Sequence, residues 1–161
     1  MRFRLCVLTV LSLCSSAAHS QQQGNPAAPC YQALAGDPRF AAIREKVALG
    51  GSMDEMRKFT KSAERASEQE APALAAWRNA RADCHRMEAD YYASRDAQIQ
   101  ALALKHFAAV QALIAELQSA KLSYGEFGRR RLDLYEKLTE SIDDIRRGIL
   151  PPKLPPSPIT K

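Results

Sequence analysis

The sequence predicts an all-α protein built on a long antiparallel helical hairpin, with one or two short N-terminal helices and one disulfide. Apolar residues recur at helical spacing through most of residues 30–150. No glycine or proline interrupts residues 73–120. A turn flanked by capping residues then joins this stretch to a second helical pattern.

The first twenty residues are predicted to be a cleavable signal peptide. Two arginines precede an apolar run from Leu5 to Leu13, and small residues lead to Ser20, where we expect cleavage. The run is too short to span a bilayer, so a periplasmic protein with no stable membrane insertion is expected. The alternatives are a short uncleaved anchor and a lipoprotein acylated on Cys14, although such cysteines usually follow a small residue.

Cleavage would leave two cysteines, Cys30 and Cys84. An even pair in an exported protein favours a disulfide. Closing a loop of this length removes about 4 kcal/mol of denatured-state freedom in the chain-entropy model. Metal ligation and thiol catalysis are the alternatives, but two isolated thiolates without a Cys-x-x-Cys pair make a poor zinc site.

The elements are expected in a simple order along the chain. Residues 21–29 form a flexible leader, residues 30–66 short helices, residues 67–120 one long helix that is continuous or bends near Ser94, residues 124–149 a return helix, and residues 151–161 a disordered proline-rich tail. A short connection between helices makes antiparallel neighbours, so the return helix should fold back on the long one.

The hairpin turn has a recognisable N-terminal cap. Ser123 followed three residues later by Glu126 is the spacing of a capping box. Leu122 before the cap and Phe127 after it are placed as a hydrophobic staple.

These residues give the segment 113–138 a resemblance to the SHOCT motif, a short helical hairpin usually found at the C-terminus of bacterial proteins. The positions that match are Leu117, Leu122, Ser123, Glu126, Phe127, Arg131 and Leu134. Ala120 stands where the family has glycine, the residue that supplies a left-handed helix stop. The resemblance implies oligomerisation or contact with another protein and no catalysis. More loosely, the whole plan is similar to that of small exported helical proteins of proteobacteria.

No catalytic, cofactor-binding or metal-binding residues are predicted, and the chain is not expected to be an enzyme. His85 and His106 would lie about 30 Å apart on one continuous helix and could not share a site. The sequence has no glycine-rich phosphate loop, Cys-x-x-Cys pair or His-Glu-x-x-His motif.

Arg129, Arg130 and Arg131 form one cluster of positive charge that could bind phosphate groups or an acidic partner. The simpler interpretation is a solvated face offset by neighbouring acidic residues. The formal charge of +5 falls to about +3 without the signal arginines, which is too weak to indicate nucleic acid.

The sequence therefore predicts a non-enzymatic exported interaction protein, an adaptor or chaperone-like holder that binds a protein partner or itself. The reason is that a hairpin with few covering elements should leave part of its apolar stripe exposed. The alternative is a metal- or stress-sensing periplasmic protein using histidine or methionine residues, with ligands assembled in a dimer.

Overall fold

The structure, a computed structural model, describes residues 24–149. Every regular element in this range is a helix, so the predicted all-α class is confirmed. The elements are α1 (Ala27–Gly36), a 3₁₀ helix (Pro38–Ile43), α2 (Met53–Lys58), α3 (Ala71–Ala93), α4 (Ala97–Gln118) and α5 (Tyr124–Arg146). The predicted signal peptide, Cys14 and the proline-rich tail lie outside the described residues.

The main body is a bundle of α3, α4 and α5. The prediction of one long helix over residues 67–120 is wrong, because the chain reverses direction at residues 94–96. The carboxylate of Asp96 accepts hydrogen bonds from the backbone N–H groups of Gln98 and Ile99, at 2.9 and 3.0 Å. A strong N-cap at a polar turn therefore starts a new helix without glycine or proline.

α3 and α4 are antiparallel neighbours. Gln111 donates from its side-chain amide to the carbonyl of Arg78 at 3.2 Å. Further along α3, the rings of His85 and Phe107 lie 4.5 Å apart. Residue numbers thus rise along α3 as they fall along α4. Because α5 also folds back on α4, α3 and α5 run parallel to each other.

α4 and α5 form a helical hairpin whose turn contains both hydrogen bonds of a capping box. The Ser123 hydroxyl accepts from the Glu126 N–H at 3.2 Å, and the Glu126 carboxylate accepts from the Ser123 N–H at 2.7 Å. Leu122 and Phe127 are buried on either side of the cap. Ala120 has a left-handed φ of 55°, so an alanine adopts the conformation that favours glycine.

The N-terminal segments pack against α3. The predicted disulfide is present and joins α1 to α3, with 5.5 Å between the Cα atoms of Cys30 and Cys84. α1 begins at Ala27, so the predicted leader 21–29 extends too far into the fold. Three short helices precede α3 instead of one or two, since Asp37 caps a separate 3₁₀ helix through the Arg39 N–H.

An apolar core fills the bundle near the α4–α5 turn. Its largest buried apolar side chains are Phe40, Ile43, Leu49, Leu74, Trp77, Ile114, Leu117, Tyr124 and Phe127. The α4 stripe, which the sequence suggested would be partly exposed, is internal from Val110 to Leu117. Among residues 24–149, no helix combines the length and hydropathy that a bilayer crossing needs.

Candidate anion-binding site

The three consecutive arginines do not form a common patch. Arg129 donates to the carbonyl of Thr60, and Arg130 pairs with Glu116 at 3.3 Å on the surface. Arg131 points the other way and is only 2% exposed. The possible anion patch of three arginines is therefore not one surface cluster, because Arg131 is buried and belongs to a separate site.

A second buried arginine, Arg81 on α3, lies beside Arg131 on α5. Arg81 is 4% exposed. Both guanidinium groups lie over the indole ring of Trp77, at 5.4 Å for Arg81 and 5.2 Å for Arg131. Arg131 also donates to the carbonyl of Ala48 at 2.6 Å, and Arg81 lies 5.2 Å from the ring of Tyr31. These contacts hold two like charges side by side.

Neither guanidinium is fully paired. Nε and Nη1 of Arg81 and Nη2 of Arg131 have no hydrogen-bond partner among the described residues, and no carboxylate in that range forms a salt bridge with either side chain. Burial lowers the pKa of Arg81. Burial and the adjacent charge of Arg81 lower the pKa of Arg131 well below its usual range. Two buried charges without a directly paired carboxylate are costly, and a bound anion would relieve that cost.

The unpaired nitrogens converge next to Gly51. A Cβ atom at Gly51 would lie 3.0 Å from Nη2 of Arg131 and 3.4 Å from Nη1 of Arg81. Gly51 has a φ of 84°, which disfavours side chains. A glycine here therefore leaves space open at the point that both guanidinium groups face.

That space belongs to a cavity of about 340 Å³ between α1, the 50–52 turn, α2, α3, α4 and α5. α3 contributes Arg81, His85 and Glu88, and α5 contributes Arg131, Tyr135 and Leu138. Both sets follow the spacing i, i+4, i+7, which places each set on one face of its helix. The remaining lining residues are Asn25, Ala28, Tyr31, Gln32, Gly50, Gly51, Ser52, Met56 and His106.

His85 and His106 are neighbours in this cavity, although they would lie about 30 Å apart on one continuous helix. The reversal between α3 and α4 brings the ring centroids of His85 and His106 to 6.5 Å. Burial lowers the pKa of both imidazoles, that of His106 to about 4. Both are therefore neutral at pH 7.

Hydrogen bonds link the histidine to the arginine and to a carboxylate. The Tyr31 hydroxyl donates to Glu88 at 2.8 Å, which leaves its oxygen to accept from Nδ1 of His85 at 2.7 Å. Nε2 of His85 then accepts from Nη2 of Arg81 at 3.3 Å. Burial opposes ionisation of Glu88, but the nearby imidazole of His85 and the hydrogen bond from Tyr31 lower its pKa overall. This chain fixes the tautomer of His85 and orients Arg81 toward the cavity.

The site is suited to an anion and poorly suited to a metal cation. Residues 24–149 contain no group of three His, Cys, Asp or Glu side chains placed to hold a metal ion. Two guanidinium groups at one end of the cavity would also repel a cation. The described chain is thus a small all-α protein with a positively charged cavity between its helices that opens to solvent beside Ala28, Gln32 and Ser52. No family model, curated protein or solved structure matches it.

Proposed function

We propose that this chain is a non-enzymatic exported binding protein that holds a small anionic ligand in the Arg81–Arg131 cavity. The observation that carries the proposal is the pair of buried guanidinium groups whose unpaired N–H groups converge beside Gly51. Buried charges are ordinarily paired or hydrogen-bonded. An anion between the two arginines would supply both missing interactions.

The exported location rests on two supports. The Cys30–Cys84 disulfide is compatible with an oxidising compartment. The basic and apolar N-terminal residues have the plan of a signal peptide. The intact mass of the protein purified from a bacterial periplasm tests this, because cleavage after Ser20 gives a chain that starts at Gln21.

The proposed binding site is the Arg81–Arg131 cavity between the helices and not an exposed apolar stripe on a helix surface. The described part of the chain exposes only three large apolar side chains to a substantial degree, Met87, Leu104 and Ile149. The resemblance of segment 113–138 to the SHOCT motif still implies self-association or a protein contact. That implication stays a prediction, which native mass spectrometry tests.

The fluorescence of Trp77 provides a direct binding assay. It is the single tryptophan of the chain, it is fully buried, and both guanidinium groups lie over its ring. Titration with acetate, phosphate and sulfate should change its emission with saturation. Calorimetry on the same samples gives the dissociation constants and checks that the optical signal reports binding.

Adjacent arginines supply a matched control. Arg81→Met and Arg131→Met should each weaken anion binding by about 10- to 100-fold, the loss expected for one charge-assisted hydrogen bond. Arg130→Met removes an equal charge from the surface next to the site and should leave affinity within about twofold. Equal weakening by all three variants would mean that net charge, and not the cavity, attracts the anion.

A further inference from the structure

The cavity is much larger than an inorganic anion requires. Its volume of about 340 Å³ compares with about 30 Å³ for one water molecule in the liquid. Cavities of about 300–1,000 Å³ ordinarily take organic ligands. A sulfate or phosphate between Arg81 and Arg131 would occupy only one end and leave the rest to water.

The α5 side of the wall that leads away from the arginines is apolar, whereas the α3 side carries His85 and Glu88. Along α5, Tyr135 and Leu138 follow Arg131 by four and seven residues, which is about 6 and 10 Å along the helix axis. Met56 of α2 and Ala28 of α1 line the same cavity. An extended apolar group attached to the anion would therefore contact protein over this distance.

The charges around the site favour a single negative charge on the ligand. Glu88 lines the cavity, and Oε2 of Glu55 would lie 3.8 Å from a Cβ atom at Gly50, another lining residue. A carboxylate adds one negative charge near these two groups, whereas a phosphate dianion adds two. A carboxylate also has two oxygens, which match the two guanidinium groups that converge beside Gly51.

From these three features we infer that the ligand is a small organic acid. Its carboxylate lies between Arg81 and Arg131, and its apolar body lies along Tyr135, Leu138 and Met56. This inference rests on the proposed anion-binding function and adds the chemical class of the ligand.

A series of straight-chain carboxylates from acetate to dodecanoate tests the inference, with calorimetry and Trp77 fluorescence as readouts. Each methylene that becomes buried against the apolar wall should tighten binding about fourfold. The gain should stop once the chain extends past Leu138 and reaches solvent. Hexanoate should bind more tightly than inorganic phosphate.

One variant tests the contact with the ligand's apolar body without changing the contacts with its carboxylate. Leu138→Ala should weaken octanoate binding about tenfold and leave acetate binding within about twofold, because only the longer acid reaches this side chain. Leu104→Ala, on an exposed position of α4, should change neither affinity. Circular dichroism of each variant shows that the helices are intact.

The outcomes are distinguishable. Acetate binding that does not strengthen with chain length, or phosphate that binds more tightly than hexanoate, overturns the organic acid and leaves the anion site in place. No binding of any anion overturns both. A length dependence that survives in Leu138→Ala at full strength overturns the placement of the apolar body.

Discussion

The two ends of the three-helix bundle are filled in opposite ways. Near the α4–α5 turn, apolar side chains such as Leu74, Ile114 and Leu117 fill the interior completely. Toward the α3–α4 turn, two guanidinium groups, two imidazoles and an open cavity take the place of apolar side chains. Trp77 lies between the two ends, with its ring against Phe127 on one side and both arginines close by.

This difference separates stability from binding. Filling one end with apolar groups lowers the free energy of the folded chain. Placing unpaired charges at the other end raises the free energy of the folded chain. A destabilising arrangement of this kind is kept where a function depends on it. Substitutions at the two ends should therefore change stability in opposite directions.

The largest effect is expected from Phe127→Ala. The ring is 1% exposed and packs edge-to-face against Trp77 at 6.0 Å. Truncation leaves a cavity at the well-packed end and should lower the free energy of unfolding by about 4 kcal/mol. Urea denaturation measures it. The control Leu104→Ala, 48% exposed, should stay within about 0.5 kcal/mol; similar losses in both variants would contradict the assigned core.

Acid should destabilise the protein by protonating His106, which is partly buried at the polar end. Burial, with a further contribution from the charge of Arg81, lowers the pKa of His106 to about 4. The unfolded chain, with a histidine pKa of about 6.5, binds more protons between these values. The stability that His106 contributes is thus complete above pH 6.5 and is lost as the pH falls to 4, by up to about 3 kcal/mol.

Denaturation curves of the wild type and His106→Gln at several pH values measure this contribution. The variant should lose less stability than the wild type between pH 6.5 and 4. Burial raises the pKa of Glu70, but hydrogen bonds from Ser67 and Lys46 lower it to about 2, so its contribution changes only below pH 4.5. Parallel curves for the two proteins from pH 6.5 to 4 would rule out His106 as the source.

Arg81→Met should stabilise the ligand-free protein. The substitution removes a buried charge that no carboxylate within residues 24–149 pairs with, and it keeps an unbranched apolar side chain of similar length. Replacing buried charges by apolar groups often stabilises a fold, and we expect a gain of about 2 kcal/mol. Thermal unfolding checks it, with Arg86→Met on the exposed side of α3 as the neutral control. A destabilised Arg81→Met would mean that the guanidinium supports the fold without a ligand.

The apolar end could be predicted from sequence because its signals are local. The Ser123–Glu126 spacing defines a cap, and the apolar residues on either side of it identify buried positions. The disulfide followed from the number of cysteines left after the signal segment. Each of these signals lies within a few residues or in a simple count.

The polar end could not be predicted because it depends on one turn. Ser94–Arg95–Asp96 contains no glycine or proline, so the pattern allows a continuous helix, in which His85 and His106 are far apart. Asp96 was the available signal, since aspartate is a preferred N-cap residue. The run of three arginines indicates a surface position for Arg131, although this residue lies four residues after the buried Phe127 and on the same helix face.

The N-cap of α5, at the apolar end of the bundle, should make a smaller contribution to the free energy of unfolding. Ser123→Ala removes the acceptor for the Glu126 N–H and should cost about 1 kcal/mol. Ser119→Ala in the same turn removes only a hydroxyl that donates to the Glu116 carbonyl, so it should cost less than 0.5 kcal/mol. Melting midpoints compare the two. An unchanged midpoint for Ser123→Ala would contradict the capping box.

The smallest expected effect concerns the C-termini of α4 and α5. The two helices end in the same backbone arrangement, but a different residue occupies the left-handed position in each. After α4, Lys121 N–H donates to Glu116 and Ala120 has a φ of 55°; after α5, Ile149 N–H donates to Asp144 and Gly148 has a φ of 72°. Both arrangements are Schellman motifs, in which a glycine is the favoured left-handed residue.

Ala120→Gly should therefore raise the free energy of unfolding by about 0.5–1 kcal/mol. Relief of the left-handed alanine is worth about 1–2 kcal/mol, and the added freedom of glycine in the unfolded chain takes back about half of it. Gly148→Ala should have the opposite sign and a smaller size, because the end of α5 is exposed and contributes less to the cooperative fold. Urea denaturation of both variants measures the pair, and a loss of stability in Ala120→Gly would show that the turn does not tolerate the extra freedom.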